Sequence, residues 1–558
     1  LFDISSKAGA FSLNKDLSPY DMPPMFFSDA QNARFVDGKA SKILGHSQVL
    51  GTPLVAPLWA TDFLQGSNNL WIYGGATSLN KITGTTHAAV TRSSGAYTTL
   101  SGTSDSWCGG VLGGVLVLTN GLDVPQSLTQ AGSVFTDLPN WPSTLKCKSI
   151  VPFKNHLVAL NLTDSGTAKP FTIRWSDAIP AGAATNGADT WNTGSAASQS
   201  AETSISSAEG HILNALQMGN ELIVYLEDSI YALNFVGGAF TFQVRQKFKD
   251  TGLFAKEAVV DLGNGNHVLM TTDDVVLHNG NSIKSVIEDT VKEFLFGEID
   301  SGAADKTFLV HNKHKSEVWI CYPATNATNN FPNSAVIWNY KDNTWSTRDL
   351  PNVNYIAKGV VNPVLANTWT ASTSTWEKST LNWAQAPYNP VINSLLMCGT
   401  TDTKFYLADS STTFDGTSFL TKLERIGLHS GRTDAVKSVT KVFPRIEGTG
   451  SVNISVGSEL QPFQGVSYND PVSFEIGSDF KVDCSPQDLE DIPKFVDEML
   501  LQIKVVVDLL RDGHLDVIYV EPDKPQQGDI RYADGSTWNP GSGEGIYFRN
   551  SAGAWVKL

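Results

Sequence analysis

A short apolar segment recurs along the chain and limits the possible folds more than any other feature. Each copy has four residues suited to a pleated, buried strand, and copies follow at roughly 40 to 50 residues, the period of propeller blades. Seven copies begin at Leu70, Val115, Leu157, Leu222, Val268, Val318 and Leu395. A second strand is predicted after a turn at residues 230–233, 275–278, 336–339 and 405–408.

The clearest copy of the unit lies at residues 317–347. Residues 317–322 and 336–340 predict two strands, and residues 344–347 predict a third. The turn at 341–343 contains Asp342 and Asn343, residue types that tolerate the left-handed conformation. This stretch therefore predicts an antiparallel meander.

No single meander can bury both of its faces, so repeated units are expected to stack radially around a channel. We predict a mainly β chain with a β-propeller of about six or seven blades over residues 51–419. Longer gaps between strands, near 161–221 and 322–394, are interpreted as loop insertions. A pair of β-sandwiches would also give many short strands and is the alternative fold.

Charge excludes one broad class of function. The 558 residues carry a formal net charge of −16, with no long run of Lys or Arg. A general nucleic-acid binder needs a basic surface that displaces counterions from phosphates. An acidic protein can still let DNA slide past without adhering.

The cysteines and the apolar runs indicate the compartment. The five cysteines are odd in number and widely spaced, at positions 108, 147, 321, 398 and 484. Reduced, buried thiols are expected, because no pair has metal-ligand spacing. The first residues have neither the basic nor the apolar region of a signal peptide, and no apolar run is long enough to span a bilayer. We expect assembly in a reducing cytoplasm.

Four segments flank or follow the predicted propeller. Residues 1–50 are predicted as an extended arm, and residues 420–484 as an accessory β domain or as strands that close the propeller. Residues 485–513 predict one α-helix, packed on its own domain or in a bundle between subunits. Its apolar residues step by three and four, at Leu489, Ile492, Val496, Met499, Ile503, Val506 and Leu510. Residues 514–558 predict a small β-hairpin module that docks or oligomerises.

The sequence contains only weak signals for catalytic, cofactor-binding or metal-binding sites. The turns at 342–345 and 534–538 have the form of structural Asp-box turns, and residues 109–114 are Gly-rich without a following helix. His311 and His314 have no evident third metal ligand. Acidic residues at 273–274 and at 488, 490 and 491 suit turns and a helix start. We therefore predict no catalytic, cofactor-binding or metal-binding residue and no enzyme.

The order of several short segments resembles a tail structural protein of short-tailed bacteriophages. These segments are residues 2–5, 14–16, 22–24, 27–35, 43–46, 230–240, 310–312, 317–323, 336–345 and 444–450. The resemblance covers roughly residues 1–484 and implies a propeller-type tail tube or nozzle protein below the adaptor and portal. It also implies a homo-oligomeric ring, commonly a hexamer, that contacts tail adaptor and tail fibre proteins.

Together these observations predict a virion structural protein in the tail, assembled in the host bacterial cytoplasm. Genomic DNA would pass through transiently without specific binding. The alternative is a receptor- or glycan-binding propeller at the tail tip that contacts the host surface, with Trp369, Trp376, Trp383 and Tyr388 as candidate platforms. A depolymerase is a third class, which would release sugar.

Overall fold

The chain divides into two compact units. A computed structural model describes residues 11–100, 105–207, 210–238, 240–361, 394–428, 446, 448, 450–458, 466–476, 517–518, 520, 526 and 528–558. The units span Leu1–Val436 and Lys437–Leu558. No helix in the described part of the chain is long and apolar enough to cross a membrane.

The first unit begins with six short strands and continues as a succession of antiparallel sheets. The six strands are β1 (Ser12–Leu13), β2 (Phe26–Phe27), β3 (Asp29–Gln31), β4 (Ala33–Val36), β5 (Lys39–Lys42) and β6 (Gly45–Val49). Sheet 1 has β7 (Trp59–Gln65), β8 (Asn68–Gly74), β9 (Leu79–Thr83) and β10 (Thr86–Ala89). Sheet 2 has β11 (Cys108–Leu112), β12 (Val115–Thr119), β13 (Gln126–Leu128) and β14 (Thr136–Asp137).

Three further sheets repeat the same order of four neighbouring strands. Sheet 3 has β15 (Leu145–Phe153), β16 (His156–Asp164), β17 (Thr167–Trp175) and β18 (Ala201–Ser204). Sheet 4 has β19 (Ile212–Met218), β20 (Glu221–Leu226), β21 (Ile230–Phe235) and β22 (Phe242–Phe248). Sheet 5 has β23 (Val259–Asp261), β24 (His267–Met270), β25 (Val275–His278) and β26 (Ile283–Ser285).

The last two sheets of this unit borrow strands from the N-terminal segment. A helix, α1 (Lys292–Glu298), and a 3-10 turn (Ala304–Lys306) precede sheet 6, and a second 3-10 turn (Lys313–Lys315) lies within it. Sheet 6 has β27 (Phe308–Asn312), β28 (Glu317–Tyr322), β29 (Ser334–Asn339) and β30 (Thr344–Asp349), then β3 and finally β34 (Lys422–Glu424). Sheet 7 has β31 (Val353–Gly359), β32 (Ser394–Gly399) and β33 (Lys404–Ser411), and β6 is its fourth strand.

The second unit contains short pairs and one larger sheet. Strand β35 (Gly450–Ile454) pairs with β38 (Val472–Ile476), and β36 (Gly457–Ser458) pairs with β37 (Ser467–Tyr468). The larger sheet has β39 (Val517–Ile518), β40 (Ile530–Ala533), β41 (Gly545–Arg549) and β42 (Trp555–Lys557).

The second strand of each sheet is apolar on both faces because both faces are buried. In β20, Leu222 and Val224 lie in an apolar cluster shared with sheet 3. The alternate residues Ile223 and Tyr225 lie in a cluster shared with sheet 5. Successive side chains of a strand point to opposite faces, so a continuous apolar run is required where each face meets another sheet.

The sheets follow one another in a closed order. Apolar clusters join each sheet from sheet 1 to sheet 7 to the next. A further cluster joins sheet 7 to sheet 1, where Leu396 and Phe405 share a core with Trp71 and Tyr73. Strands β31 and β7 are also in contact. This mainly β arrangement is compatible with a β-propeller-like fold.

All eleven strand segments predicted from the apolar repeat are strands, so those predictions are confirmed. The meander over residues 317–347 is also confirmed, and Asn343 in its turn has a φ of 53°. The gaps near 161–221 and 322–394 are loop insertions only in part. Both contain strands, β17 to β19 in the first and β29 to β31 in the second, whereas residues 176–200 form a connection without strands between β17 and β18, and residues 362–393 lie outside the described residues.

The flanking segments are described in part. Residues 12–49 supply strands to sheets 6 and 7, and residues 422–424 belong to sheet 6, within the first unit. The α-helix predicted over 485–513 lies outside the described residues. The described part of the 514–558 module forms the four-stranded sheet of β39 to β42.

Burial on both faces of β20 gives a testable expectation. Leu222→Ala and Ile223→Ala, at neighbouring positions with 0% exposure, should each lower the free energy of unfolding by about 2–5 kcal/mol. The matched control Leu64→Ala removes a side chain that is 60% exposed and should change it by less than about 0.5 kcal/mol. Denaturant midpoints measure all three. A large loss at just one of the two buried positions would contradict burial on both faces.

Candidate functional site

The N-terminal segment pairs with strands from the other end of the first unit. Strand β6 pairs with β33, and β3 pairs with both β30 and β34. The Asp16 carboxylate accepts hydrogen bonds from the backbone amides of Lys292, Glu293 and Phe294 at the start of α1, at 2.5 to 3.3 Å. Those amides have no partner within a helix, so Asp16 satisfies donors of an element far away in sequence.

Four charged side chains lie close together where the N-terminal segment meets sheets 6 and 7: Arg34, Glu317, Arg348 and Asp409. Together with Trp319 we call them the closure cluster. Arg34 of β4 donates from Nε to Glu317 Oε1 at 2.5 Å and from Nη2 to Asp409 Oδ2 at 2.7 Å. Arg348 of β30 donates from Nη1 to Asp409 Oδ1 at 2.6 Å. Asp409 lies in β33 and Glu317 in β28, so the cluster joins sheets 6 and 7 to the N-terminal segment.

The indole of Trp319 closes the cluster from one side. Its Nε1 donates to Glu317 Oε2 at 2.9 Å, and the Arg348 guanidinium lies 4.6 Å from its ring centroid. Arg348 has no exposed side-chain surface and Glu317 is 1% exposed. Arg34 and Asp409 keep a small exposed fraction, so two positive and two negative charges balance in a largely buried place.

Burial and pairing act in opposite directions on the cluster's ionisation. Burial alone would raise the pKa of Asp409, but Arg348 and Arg34 outweigh it and hold that pKa below its ordinary value. Burial alone would lower the pKa of Arg34, but Glu317 and Asp409 outweigh it and raise that pKa. At Arg348, by contrast, burial outweighs pairing and lowers the pKa below the ordinary value for arginine. Removal of one charged group would leave a buried charge unbalanced.

A cavity of about 420 Å³ lies where β6 pairs with β33. His46 lines it, stacked on Phe414 at 4.7 Å and edge-on to Tyr406 at 4.9 Å. Burial, together with the charge of Arg348, lowers the pKa of His46 to about 4, so this side chain is neutral at pH 7. The other polar lining groups pair with one another: Lys404 Nζ lies 2.7 Å from Asp415 Oδ2, and Tyr406 Oη donates to Asp402 Oδ2 at 2.8 Å.

A second buried polar group joins sheets 4 and 5. Tyr225 Oη lies 2.6 Å from His267 Nδ1 and 2.8 Å from His278 Nε2, and all three residues are at most 1% exposed. The Gly280 amide donates to His278 Nδ1, and His267 Nε2 lies 3.2 Å from the Gln217 carbonyl oxygen. One arrangement of protons satisfies every contact. His278 Nε2–H donates to Tyr225, whose hydroxyl donates to His267 Nδ1, and His267 Nε2–H donates to Gln217.

This Tyr–His–His network requires both imidazoles to be neutral. Burial, together with the charge that His267 would carry, lowers the pKa of His278 to about 3. Burial likewise lowers the pKa of His267. A second proton on His278 would place an N–H at Nδ1 opposite the Gly280 amide, which is itself a donor. A second proton on His267 would leave the Tyr225 hydroxyl without the acceptor to which it donates.

The two histidines considered from the sequence are not brought together as ligands. His311 is buried, with Nδ1 3.1 Å from the Asp261 carbonyl oxygen and Nε2 3.1 Å from Tyr340 Oη, and burial lowers its pKa to about 4. His314 is exposed in a 3-10 turn. Within the described residues, no group of three or more His, Cys, Asp or Glu side chains could hold a metal ion.

The acidic turns have the structural roles expected of them. Asp273 accepts from the hydroxyl of Thr271, and Asp274 accepts from the Val275 amide and the Ser285 hydroxyl. These bonds hold the turn between β24 and β25.

The two Asp-box-like turns and the Gly-rich segment are also structural. Asp342 accepts from the Asp37 amide at 2.8 Å. Asp534 accepts from the amides of Thr537 and Trp538 and from the Ser536 hydroxyl. Residues 109–114 form the β11–β12 hairpin, in which a Cβ at Gly109 would lie 2.0 Å from the Val117 carbonyl oxygen.

The cysteine prediction is confirmed for the four described thiols. Cys108, Cys147, Cys321 and Cys398 are free and buried, and burial raises the pKa of the last three. Cys484, the acidic residues 488, 490 and 491, and the aromatic residues 369, 376, 383 and 388 lie outside the described residues.

Sequence reasoning missed the closure cluster because its members are far apart in the chain. Arg34 and Glu317 are 283 positions apart, and Arg348 and Asp409 are 61 positions apart. One local signal was available. Glu317 opens an otherwise apolar strand at a buried position, and buried carboxylates are almost always paired.

Comparisons with known proteins give no family. No protein-family model and no curated protein matches the chain. It is similar to PorZ, an essential bacterial surface component of the type-IX secretion system of Porphyromonas gingivalis, with a TM-score of 0.33 and 10% identity over 76% of this chain. The chain spans 46% of that PorZ structure.

A second similar structure is the N-terminal domain of Nup159. Its TM-score is 0.32, with 12% identity over 66% of this chain and 94% of that domain. TM-scores this low carry no argument about what this chain does.

The closure cluster predicts a large effect from one small substitution. Asp409→Asn keeps the shape of the side chain and suits its φ of 54°, but leaves Arg348 and Arg34 with one carboxylate between them. It should lower the free energy of unfolding by about 3 kcal/mol. The control Lys341→Ala removes an exposed partner of Asp37 and should cost less than about 1 kcal/mol. Equal denaturant midpoints for Asp409→Asn and the parent would contradict a stabilising closure cluster.

The Tyr–His–His network predicts a specific loss of stability in acid. The folded-state pKa of His278 lies below that of the unfolded chain, so below about pH 6.5 the unfolded state binds a proton that the folded state excludes. Stability is therefore lost as pH falls from about 6.5 towards the folded pKa, and His278 contributes about 2 kcal/mol of that loss between pH 6.5 and pH 5.

His278→Gln tests this by removing the titrating group. The variant should be less stable than the parent at pH 7, and its stability should fall less steeply between pH 6.5 and pH 5. His314→Gln, at an exposed position, should keep the parent's pH dependence. Denaturant midpoints across this pH range measure the slopes. A parental slope in His278→Gln would show that His278 does not couple folding to protons.

Proposed function

We propose that the chain is a virion structural protein, a tail nozzle or tail tube subunit of a short-tailed phage. Its first unit is a seven-bladed propeller in which sheets 1 to 7 are the blades. Strand β6 from the N-terminal segment completes the last blade. The supporting observation is the closed order of apolar clusters, in which sheet 7 packs on sheet 1 as well as on sheet 6.

Mechanical rigidity is the property that this arrangement supplies. Every sheet has an apolar neighbour on each side, so a force on one sheet is spread to both neighbours through close-packed side chains. The N-terminal segment adds a hydrogen-bonded strand, and the closure cluster adds buried ion pairs. A wall built from such units resists deformation without any chemical step.

The buried polar residues support a structural role over an enzymatic one. Asp409, Glu317, Tyr225 and His278 all point into contacts between sheets and are satisfied there. The acids considered at 273–274, 342 and 534 hold turns. Catalytic groups need a substrate within reach, and these side chains face protein atoms.

In the proposed assembly, copies of the chain form a closed ring, as the sequence resemblance to tail tube and nozzle proteins implies. The ring lies below the adaptor, contacts tail fibre proteins and surrounds the DNA exit path. The net charge of −16 supports passage without adhesion, because like charges repel the phosphate backbone along an acidic lumen. The subunit would be made in the host cytoplasm and would function in the virion tail.

Imaging of the purified chain tests the proposal. Negative-stain electron microscopy with mass measurement in solution should show closed rings with a central hole wide enough for a DNA duplex. The variant Asp409→Asn should form fewer intact rings than the parent chain, because loss of one carboxylate from the closure cluster makes each subunit less rigid. Monomers or trimeric spikes that bind host polysaccharide would overturn the proposal and favour a receptor-binding protein. Sugar release from that polysaccharide would indicate a depolymerase.

A further inference from the structure

The cavity where β6 pairs with β33, which we call the His46 cavity, has a size typical of ligand sites. Its volume of about 420 Å³ lies within the roughly 300–1,000 Å³ of pockets that hold small molecules. All of its lining residues belong to the described part of the first unit. They come from β6, from β33 with the turn before it, from the turn at 414–417 and from the connection between β30 and β31.

His46 is a buried polar side chain that lines this cavity without a hydrogen-bond partner. It is 3% exposed, and its Nδ1 has no partner among the described residues. Buried side-chain nitrogens in proteins are normally paired, so an unpaired imidazole beside a cavity indicates a polar group that the chain itself does not supply. Because its pKa is about 4, the ring is neutral at pH 7 and has one donor and one acceptor nitrogen.

Hydrogen bonds within the chain fix the geometry of the His46 cavity. The His46 amide donates to the Thr413 carbonyl oxygen at 3.1 Å, and the Asp415 amide donates to the His46 carbonyl oxygen at 2.8 Å. Lys404 Nζ lies 2.7 Å from Asp415 Oδ2, which ties β33 to the same turn. Groups that are already held in place lose little conformational entropy when a ligand binds.

The charges around the His46 cavity favour a neutral ligand. An anion would meet the carboxylates of Asp402 and Asp415, both of which line the cavity. A cation would meet Lys404, and the positive charge of Arg348 also acts on His46. Within the described residues, no group of three or more possible ligand side chains could hold a metal ion. Phosphates, polyamines and metal ions are therefore poor matches.

The unused hydrogen-bonding capacity is of both kinds. One carboxylate oxygen of Asp402 accepts from Tyr406 Oη, and the other has no hydrogen bond among the described residues. Lys404 Nζ makes one hydrogen bond in the described part of the chain, to Asp415, and has two further protons to donate. A hydroxyl both donates and accepts, so adjacent hydroxyls of one molecule can pair with Asp402 and Lys404 together.

The apolar part of the lining suits a saturated ring better than a flat aromatic one. Both faces of the Phe414 ring are covered, by His46 at 4.7 Å and by Phe419 at 4.1 Å between ring centroids. A nucleobase therefore has no face of Phe414 on which to stack. Leu350 and Pro351 offer aliphatic surface instead, which contacts C–H groups.

We propose that the His46 cavity binds one unit of a neutral saccharide through its hydroxyl groups. Asp402 accepts from one hydroxyl, Lys404 donates to its neighbour, and the His46 imidazole pairs with a third. The unit is either a free sugar or the end of a longer saccharide. The site goes beyond the proposed structural role and does not depend on the ring.

Saturation-transfer NMR with titration of the full-length chain tests the site. The probes are glucose, galactose, mannose and N-acetylglucosamine, each as the free sugar and as its methyl glycoside. At least one should bind, and Asp402→Asn should weaken that binding at least about fivefold, because a hydrogen bond to a charged group is lost. Asp402 is exposed, so this variant should fold. Glu288→Gln makes the matching change at an exposed acid outside the cavity and should bind as the parent does.

A second variant tests the role of the imidazole. His46→Phe keeps a ring beside Phe414 but removes both nitrogens, and it should also weaken binding at least about fivefold. Binding of the methyl glycosides would indicate the end of a longer saccharide, and binding of the free sugars alone would indicate a free sugar. Both results support the site.

Three results would overturn the inference. They are no saturation transfer to any probe, equal affinity of Asp402→Asn and Glu288→Gln for the bound probe, and displacement of that probe by an equal concentration of inorganic phosphate or putrescine. Electron microscopy of the same samples scores the rings separately. Rings that bind no sugar would leave the proposed function standing, whereas sugar binding without rings would support the site and overturn the ring.

Discussion

Burial of both faces of every central strand is the constraint on which the rest of the first unit depends. A sheet whose second strand contains a run of consecutive apolar residues cannot expose either face to water without losing the free energy of burying those side chains, about 25 cal/mol per Å². Each sheet therefore needs a neighbour on both sides. In an open row, the first and the last sheet would each leave one apolar face exposed to water. Packing these two sheets against each other buries both faces.

The N-terminal segment takes part in closing the row of sheets. Its sequence has only a weak strand pattern, yet it supplies strands to the last two sheets. Strand β6 completes sheet 7 from the opposite end of the chain, and β3 extends sheet 6. The closure cluster lies beneath these strands, and its two carboxylates and two guanidinium groups cancel in charge. Removing any one of them costs more than the pair contributes, because its partner stays buried. The net contribution of such buried ion pairs to stability is small, because the cost of removing the charges from water offsets their attraction.

The amount that could be predicted from the sequence follows from how local each signal is. The second and third strands were predictable because Leu222, Ile223 and their neighbours carry their apolar character in four consecutive residues. The first and fourth strands were missed where they are short or polar, as in β14 and β18. The turn at Asn343 was predictable, because its left-handed φ is a property of one residue.

Contacts between distant residues could not be predicted from the chain alone. Nothing in the sequence near Arg34 indicates Glu317 as its partner, and nothing near Tyr225 indicates His278. The prediction of no metal-binding residues was made from the spacing of individual acids and histidines along the chain. The buried polar groups that do matter hold sheets together, and a single sequence does not report which sheets are neighbours.

Hydrogen exchange in the intact chain tests the closed circle of sheets most directly. If β6 completes sheet 7, peptides covering residues 45–49 should exchange their amide hydrogens as slowly as those covering residues 404–411 in β33, and both should exchange faster in Asp409→Asn. Rapid exchange of residues 45–49 in the parent chain, at the rate of a free terminus, with β33 still protected, would contradict closure by the N-terminal segment.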